Sequence, residues 1–456
     1  SYILCYGKNK KKQMNIFALS TGRGPSGIAI LRLSGKDSLQ ISKLITKKND
    51  IKSKEVNICK FYNPSNNKMI DEGLLLWSPG PNSYTGEDLV EFHTHGSNAV
   101  ISYFLKVLGD QENCRLAEPG EFTKLAFQNN KMDLLEAESI GDLIHAETEL
   151  QRQQAIKLIQ GNASNHYNSL REKLIKSLSY IEAKIDFAED DLPENVLNEV
   201  QSSIKQVYKD IKKILEDQKI GEKIRDGFRI SIIGEVNAGK SSLLNLLSKR
   251  EAAIVSEQEG TTRDVIETYL NIDGYPVILA DTAGIRKVKN KIEKEGIKRA
   301  IKKAKDSDLT LIIIDSTKKS INKDLKKLIN KDCIIVFNKS DLNIKIPKNE
   351  FKKNDQILIS AKKNKNIDVL IKLIKNKLST KFMKNNNILI TRERHRAKLN
   401  AALKEIEKFL EKDQSKEIEI AAEDLRLATR HLGSIVGKVD VEEILGAIFQ
   451  DFCIGK

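Results

Sequence analysis

The sequence predicts a multidomain α/β protein. It has an α+β amino-terminal domain and a helical bundle domain, and a phosphate-loop nucleotide-binding domain is inserted into the bundle. Three observations predict this. First, a strand, a glycine loop and a helix succeed one another at Arg229-Ile-Ser-Ile-Ile233, Gly234-Glu-Val-Asn-Ala-Gly-Lys-Ser241 and Ser242-Leu-Leu-Asn-Leu-Leu247. Second, apolar stripes at helical spacing flank that segment on both sides: Leu170, Leu174, Leu178, Ile181 and Ile185 before it, and Leu399, Leu403, Ile406 and Leu410 after it. Third, residues 14 to about 130 mix short apolar runs with Gly and Pro breaks.

The elements divide the chain in order. A length of 456 residues suits two to four domains. Residues 1–13 are expected to be a disordered extension, and 14–132 an amino-terminal domain. Residues 133–225 form the first helical part, with Pro193 marking a turn between helices. Residues 226–379 alternate strand and helix signals, which reads as a mostly parallel sheet covered on both faces. Residues 380–456 resume the helical pattern. Insertion is feasible because closely spaced boundaries tolerate it.

Composition bounds the function. The chain is 40% hydrophobic and 31% charged, enough for globular cores. No apolar run reaches the length of a membrane span. Lys8-Asn-Lys-Lys-Lys12 lacks the apolar core of a secretory signal. The net charge of +14 is consistent with a nucleic-acid partner, but Lys and Asn are abundant throughout, so charge alone assigns none. Five cysteines (Cys5, Cys59, Cys114, Cys333, Cys453) form no Cys-x-x-Cys pair, which implies reduced thiols in a cytoplasmic compartment. His93-Thr-His95 places two imidazoles on one strand face without a third ligand, a poor zinc site.

The phosphate loop carries the chemistry. Gly234 and Gly239 let backbone amides curl around phosphate oxygens, Lys240 reaches the β and γ phosphates, and the Ser241 hydroxyl ligates Mg²⁺. Asn237, Ala238 and Ser242 complete the loop's contacts. Asp281-Thr-Ala-Gly284 follows a second strand, Tyr275-Pro-Val-Ile-Leu-Ala280. The acid there supports the Mg²⁺ shell, the Gly284 amide meets the γ-phosphate, and Thr282 and Ala283 lie between. Between these motifs, Gly260-Thr-Thr-Arg-Asp264 reads as a switch in which Thr262, next to Thr261, closes on Mg²⁺. Cys333-Ile-Ile-Val-Phe337 runs into Asn338-Lys-Ser-Asp341. The two carboxylate oxygens of Asp341 accept guanine's ring N–H and exocyclic NH₂ together, and adenine offers no such pair at that edge. Ile357-Leu-Ile-Ser-Ala-Lys362 adds a base-contacting loop with Ser360, Ala361 and Lys362. The three motifs in this order predict GTP as substrate with Mg²⁺. Ras-like GTPases orient water with a Gln immediately after the Asp-x-x-Gly motif, and here that place is Ile285. An arginine finger is worth roughly 10³–10⁵ in rate, about 4–7 kcal/mol of barrier, so another group has to contribute.

At these residues the chain resembles the TrmE-like branch of the TrmE-Era-EngA group of GTPases. Outside the GTPase part the resemblance rests on Gly22-Arg-Gly24, Leu31-Arg-Leu-Ser-Gly35, Ser83-Tyr-Thr-Gly-Glu-Asp88, Pro119-Gly-Glu-Phe122, Asn130-Lys-Met-Asp-Leu134 and the closing Phe452-Cys-Ile-Gly-Lys456. It implies a Ras-like GTPase domain in which K⁺ replaces the arginine finger after two GTPase domains meet. The implied K⁺ ligands fall on Asn237, Ser256, Gln258 and Thr261, with Ser256 also among the GTP contacts, and a water-positioning Glu falls on Glu293. Catalysis would then rest on Glu293, Asn237, Lys240 and Thr262.

The amino-terminal domain of the family holds a tetrahydrofolate derivative (5,10-methylene or 5-formyl) and dimerises. The contacting residues match Arg32, Glu91, Lys131 and Lys456. A carboxylate suits the pterin edge, and cations suit the glutamate tail. Ser97, Lys124 and Val236 depart from the family's usual Gly, Arg and Pro. In the family the tail lies near the folate, which would bring Cys453 toward it, but no adjacent base in sequence supports a nucleophile there.

The implied function is a cytoplasmic homodimer that works with MnmG (GidA), an FAD-carrying flavoprotein, in a heterotetramer on tRNA. It would add a carboxymethylaminomethyl group to C5 of the wobble uridine, with no membrane partner. One rival is a ribosome-assembly or regulatory switch GTPase, which folate binding would separate from the modification reading. A lone folate-dependent methyltransferase is the other, and the chain offers no flavin site of its own for it.

Overall fold

The computed structural model describes residues 14–22, 24–186, 196–250, 253–254, 267–280, 306–318, 320–321, 323–345, 354–382, 388–413, 417–439, 445, 448–449, 452 and 455. The extension 1–13 and the turn at Pro193 lie outside them. The chain divides into two compact units. One comprises residues 1–141 with 433–456, the other residues 142–432.

In the first unit, β1 (Asn15–Leu19), β2 (Ser26–Ser34), β3 (Val56–Tyr62), β4 (Met69–Ser78), β5 (Leu89–Gly96) and β6 (Cys114–Leu116) form one sheet in the order β3-β4-β5-β2-β1-β6. Only the β1–β6 pair is parallel. Period-two alternation decides what is buried. Phe61, Phe92, Leu31 and Leu33 point inward under α1 (Ser38–Thr46) and α2 (Asn98–Gly109), where Phe61, Phe92 and Phe104 pack with ring centroids 5.0 to 5.8 Å apart. Ser97 caps α2 by accepting from the Val100 amide at 3.2 Å, so this departure from the family pattern has a structural use. Arg32 and Glu91, opposite each other in the β2–β5 register, lie on the other face.

The tail, residues 433–456, groups with residues 1–141 in the first compact unit, and its apolar partners there belong to the start of the helical part expected over 133–225. Leu445, Phe449 and Phe452 pack with Leu134 and Ala137 of α3 (Leu134–Ile144), and Ser20 Oγ donates to the Gly455 carbonyl at 2.8 Å. These aromatics find their apolar partners there, which a helical stripe in sequence does not reveal.

In the second unit, β7 (Phe228–Gly234), β8 (Ala253–Ile254), β9 (Glu267–Ile272), β10 (Tyr275–Ala280), β11 (Leu309–Asp315), β12 (Cys333–Asn338) and β13 (Asp355–Leu358) form a sheet in the order β13-β12-β11-β7-β10-β9-β8. The pairs from β13 to β10 are parallel, and the two beyond are antiparallel. Every residue of β11 and β12 is buried, as expected for parallel strands covered on both faces. On one face Ile230, Ile232, Leu311 and Ile313 meet α4 (Lys240–Arg250) and the helix Ile367–Phe382. On the other, Ile233, Ile312 and Ile335 meet Ile321 and Leu325.

Helices before and after this sheet pack on each other. The helix Val196–Leu215 contacts both Asn162–Asp186 and Glu393–Glu411. The incoming helix Ile220–Asp226 and the outgoing segment are tied closely. Arg396, only 7% exposed, donates to Glu222 at 3.0 and 2.7 Å and to Asp217 at 2.8 Å. Gly221 lies so near the chain that a Cβ there would stand 2.0 Å from the Ile390 carbonyl. Asp142 accepts from Arg225 at 3.0 Å and from Arg392 at 2.8 Å. The buried stripe of Glu393–Glu411 centres on Leu399, Ala402, Ile406 and Phe409, so Leu403 and Leu410 flank the contact instead of forming it.

Candidate functional site

The phosphate loop lies between the carboxyl end of β7 and the first turn of α4. Asn237 sits at φ +63° and is exposed; Asn tolerates this left-handed conformation better than most residues. Gly239 follows at φ +97°, and a Cβ there would lie 2.1 Å from Asn338 Nδ2, so glycine is required twice over. Lys240 Nζ donates to the loop's own carbonyls of Gly234 and Glu235, both at 2.8 Å. Ser241 and Ser242 are exposed at the start of α4, where free helix amides favour anions.

Asn338 joins the loops. It is 3% exposed, its Nδ2 donates to the Ala238 carbonyl at 2.9 Å, and its Oδ1 accepts from the Ala361 amide at 3.0 Å. One buried amide thus brackets the phosphate loop, the guanine motif and the Ser360–Lys362 loop. Asp341 is exposed and accepts from Ser360 Oγ at 2.6 Å. That hydroxyl, a backbone amide and the nearby Lys362 and Lys363 hold its carboxyl below the usual range, so it is an acceptor at neutral pH. Lys339 Nζ donates to Asp315 Oδ2 at 2.6 Å.

The structure therefore brings together Asn237, Ala238, Gly239, Lys240, Ser241, Ser242, Asn338, Lys339, Asp341, Ser360, Ala361 and Lys362. Ser256, Gln258, Gly260, Thr261, Thr262, Asp281, Thr282, Ala283, Gly284, Ile285 and Glu293 lie outside the described residues. Asp315 was missed by sequence reasoning. Its only signal is an acid closing the apolar run Leu309–Ile314, the same position that Asp281 holds after its own strand.

In the amino-terminal unit, Arg32 Nε donates to Glu91 Oε1 at 2.7 Å, both side chains being about one-fifth exposed (21% and 18%). The guanidinium stands 5.5 Å from the centre of the Tyr84 ring, a cation–π distance. Burial pushes the Tyr84 phenol up, and its hydroxyl pairs with Thr123 Oγ1 at 2.8 Å. Lys131 Nζ donates to the Pro81 carbonyl at 2.9 Å. Lys456 and Cys453 lie outside the described residues. Tyr84 belongs to one of the motifs shared with the family, but nothing in sequence places it over Arg32.

His95 Nδ1 pairs with Asp71 Oδ1 at 2.8 Å, whereas His93 Nε2 lies 3.6 Å from Glu91 Oε2. The two imidazoles thus go to different carboxylates. Among the described residues, no cluster of three His, Cys, Asp or Glu is placed to hold a metal ion. Cys59, Cys114 and Cys333 are free thiols, and burial raises each, Cys114 to about 11.

Comparison with known proteins adds a second line of evidence. The family model described as the MnmE helical domain matches residues 134–453, and the one described as the GTP-binding protein TrmE N-terminus matches residues 15–131. The tRNA modification GTPase MnmE of Pelagibacter ubique (strain HTCC1062) is 57% identical over 443 residues, covering 97% of this chain and 100% of that protein. The proteins of the same description from Rickettsia bellii (strain RML369-C) and Parvibaculum lavamentivorans are 44% and 42% identical, each covering 97% of this chain and 99% of theirs. A helical match that brackets the sheet, an amino-terminal match ahead of it and relatives aligned from end to end agree: the chain belongs to the MnmE (TrmE) family, within the TrmE-Era-EngA group of GTPases.

Proposed function

We propose that this protein is a K⁺-activated, Mg²⁺-dependent GTP hydrolase that acts with the flavoprotein MnmG in tRNA modification. It adds a carboxymethylaminomethyl group to C5 of the wobble uridine of certain tRNAs, using a tetrahydrofolate one-carbon unit. The observation that carries the nucleotide half is the Asn338 bracket, which ties the phosphate loop to the guanine motif through one buried side chain. The tRNA half rests on membership of a family whose relatives are described as tRNA modification GTPases.

In this reading Lys240 leaves the Gly234 and Glu235 carbonyls for the β and γ phosphates, and Asp341 reads the guanine edge. Ser241 and Thr262 would hold Mg²⁺, which supplies charge neutralisation on the phosphates. Asn237, Ser256, Gln258 and Thr261 would hold K⁺ in place of an arginine finger. The exposed oxygen donor at Asn237, on a loop already in the left-handed conformation, fits that use. Glu293 orients the attacking water. The GTPase domain is read as an insertion between the two helical halves, supported by the Arg396–Glu222 and Gly221–Ile390 contacts that close its boundaries.

For the folate, Arg32, Glu91, Lys131 and Lys456 are the contacting groups, and the Arg32–Glu91 pair on an open sheet face fits a ligand carrying both a pterin edge and carboxylates. A homodimer through this domain is supported by the same face. Val56, Ile58 and Leu74 are 66%, 67% and 40% exposed there, an apolar patch beside the pair. The protein is read as cytoplasmic, with FAD carried by MnmG.

Three measurements test the reading. GTPase rates in K⁺ buffer are expected to exceed those in Na⁺ severalfold, and equal rates would sink the K⁺ mechanism. Mass spectrometry of wobble uridine from cells with and without the protein is expected to show loss of the modified base. Failure of properly folded protein to bind 5-formyltetrahydrofolate would favour a switch GTPase instead.

A further inference from the structure

The turn that follows β11 was assigned no role by the motifs, yet it touches the nucleotide loops at several points. The Ser316 amide donates to the Asn338 carbonyl at 3.0 Å, and Lys318 pairs with Glu235 of the phosphate loop. Asp315 lies opposite Asn338 in the β11–β12 register. The residue is 8% exposed, and its carboxylate accepts from Lys339 Nζ at 2.6 Å, from the Thr317 amide at 3.0 Å and from Thr317 Oγ1 at 2.7 Å. Burial alone would raise this carboxyl, but the Lys339 and Thr317 hydrogen bonds outweigh it and keep it ionised.

Lys339 is held at φ +68°, a conformation in which its Cβ crowds the backbone and which lysine seldom adopts. It stands between Asn338, which brackets the loops, and the Ser340–Asp341 pair that reaches the base. A residue in such a conformation persists only where its surroundings over-determine it. Main-chain hydrogen bonds hold the flanks of Lys339, from the Ser316 amide to the Asn338 carbonyl at 3.0 Å, the Leu342 amide to the Lys339 carbonyl at 3.0 Å and the Ser340 amide to the Ile359 carbonyl at 2.9 Å, and Asp315 adds the anchor on its side chain. The Lys318–Glu235 contact differs in kind, since those side chains are 48% and 22% exposed and solvent screens such pairs.

We propose that Asp315 is a positioning residue for guanine-nucleotide binding: by anchoring Lys339 it fixes the backbone that aims Asn338 and Asp341, and so sets the nucleotide's residence time. This deepens the GTP reading and rests on it. Asp315 need not touch the nucleotide to act; it acts through Lys339.

The test uses the full-length protein and a fluorescent N-methylanthraniloyl GDP, with affinity and release rate measured for each variant. Asp315→Asn is expected to weaken binding about 10- to 100-fold, mostly through faster release, because a charge-assisted hydrogen bond is lost. Lys339→Met is expected to lose a comparable factor, and Asp315→Asn in that background is expected to add nothing further. Lys318→Met is expected to stay within about twofold of wild type. Thr317→Val, which removes one hydrogen bond to the carboxylate and keeps the charge, covers the case in which Asp315→Asn does not fold. Release severalfold faster with unchanged melting of the nucleotide-free protein is expected there.

Wild-type affinity in Asp315→Asn, additive losses in the double variant, or unchanged release in Thr317→Val would overturn the proposal. Failure of the wild-type protein to bind GDP would overturn the GTP reading itself, and the positioning role with it.

Discussion

The guanine-phosphate site and the Arg32–Glu91 site are built by opposite means. The first is made of loops at the ends of buried parallel strands, held in place by one amide side chain that is itself 3% exposed. The second is a pair of half-buried side chains set opposite each other by antiparallel register on a sheet face. Damage to the first therefore propagates into the core and lowers stability together with binding. Damage to the second is expected to leave the fold nearly intact. The difference shows that how a site is supported decides whether its loss is seen first in stability or in binding.

Gly239→Ala challenges the comparison most severely. The left-handed backbone strains any Cβ by about 1–3 kcal/mol, and displacing Asn338 adds about 1–3 kcal/mol for the buried groups it satisfies. Urea unfolding is expected to show a loss of roughly 2–5 kcal/mol with GDP binding abolished. A loss below about 1 kcal/mol would mean that the Asn338 bracket does not support the site.

Asp341→Asn probes the exposed end of the same site. GDP affinity is expected to fall about 100-fold while xanthosine diphosphate gains, since the amide now offers a donor where guanine also donates. Competition binding checks this, and unchanged GDP affinity would show that the guanine contact is misassigned. Arg32→Met probes the contrasting region. Its partly exposed ion pair is worth about 1 kcal/mol or less, yet 5-formyltetrahydrofolate binding is expected to fall at least about tenfold. A stability loss of several kcal/mol at this position would erase the distinction between the two sites.

The smallest expected effect separates the regions by pH. Tyr84 has a folded pKa raised by burial, so its contribution is fully present below its ordinary value of 10.0 and is lost as pH rises through the higher folded value. Asp315 has a lowered folded pKa: burial opposes the shift, and Lys339 and Thr317 produce it. Its contribution is present above its ordinary value of 3.8 and is lost as pH falls through the lower folded value. Urea midpoints across pH are expected to lose part of their alkaline slope in Tyr84→Phe and part of their acid slope in Asp315→Asn. The reverse assignment of slopes would contradict the geometry.

Much of the nucleotide site was legible before any coordinates. Gly234 to Ser241 and Asn338 to Asp341 act through backbone conformation and position at strand ends, and both are properties of a few consecutive residues. The helical stripes were legible for the same reason, although side-chain direction shifted the Glu393–Glu411 contact from Leu403 and Leu410 to Ala402 and Phe409. His95 shows the limit. On its strand it shares a face with His93, yet its ring goes to Asp71, 24 residues away.

The sequence by itself determined that the chain carries a phosphate loop, an Asn-Lys-Ser-Asp motif at a strand end and a sheet flanked by helices, because strand–loop–helix patterns are written in contiguous residues. Only the tertiary structure decided that Asp315 anchors Lys339, that Tyr84 covers Arg32, and that Phe449 and Phe452 pack on Leu134 and Ala137. Those partners are separated by 24, 52 and several hundred residues, and what joins them is register, burial and charge pairing, quantities that exist only once the chain has folded.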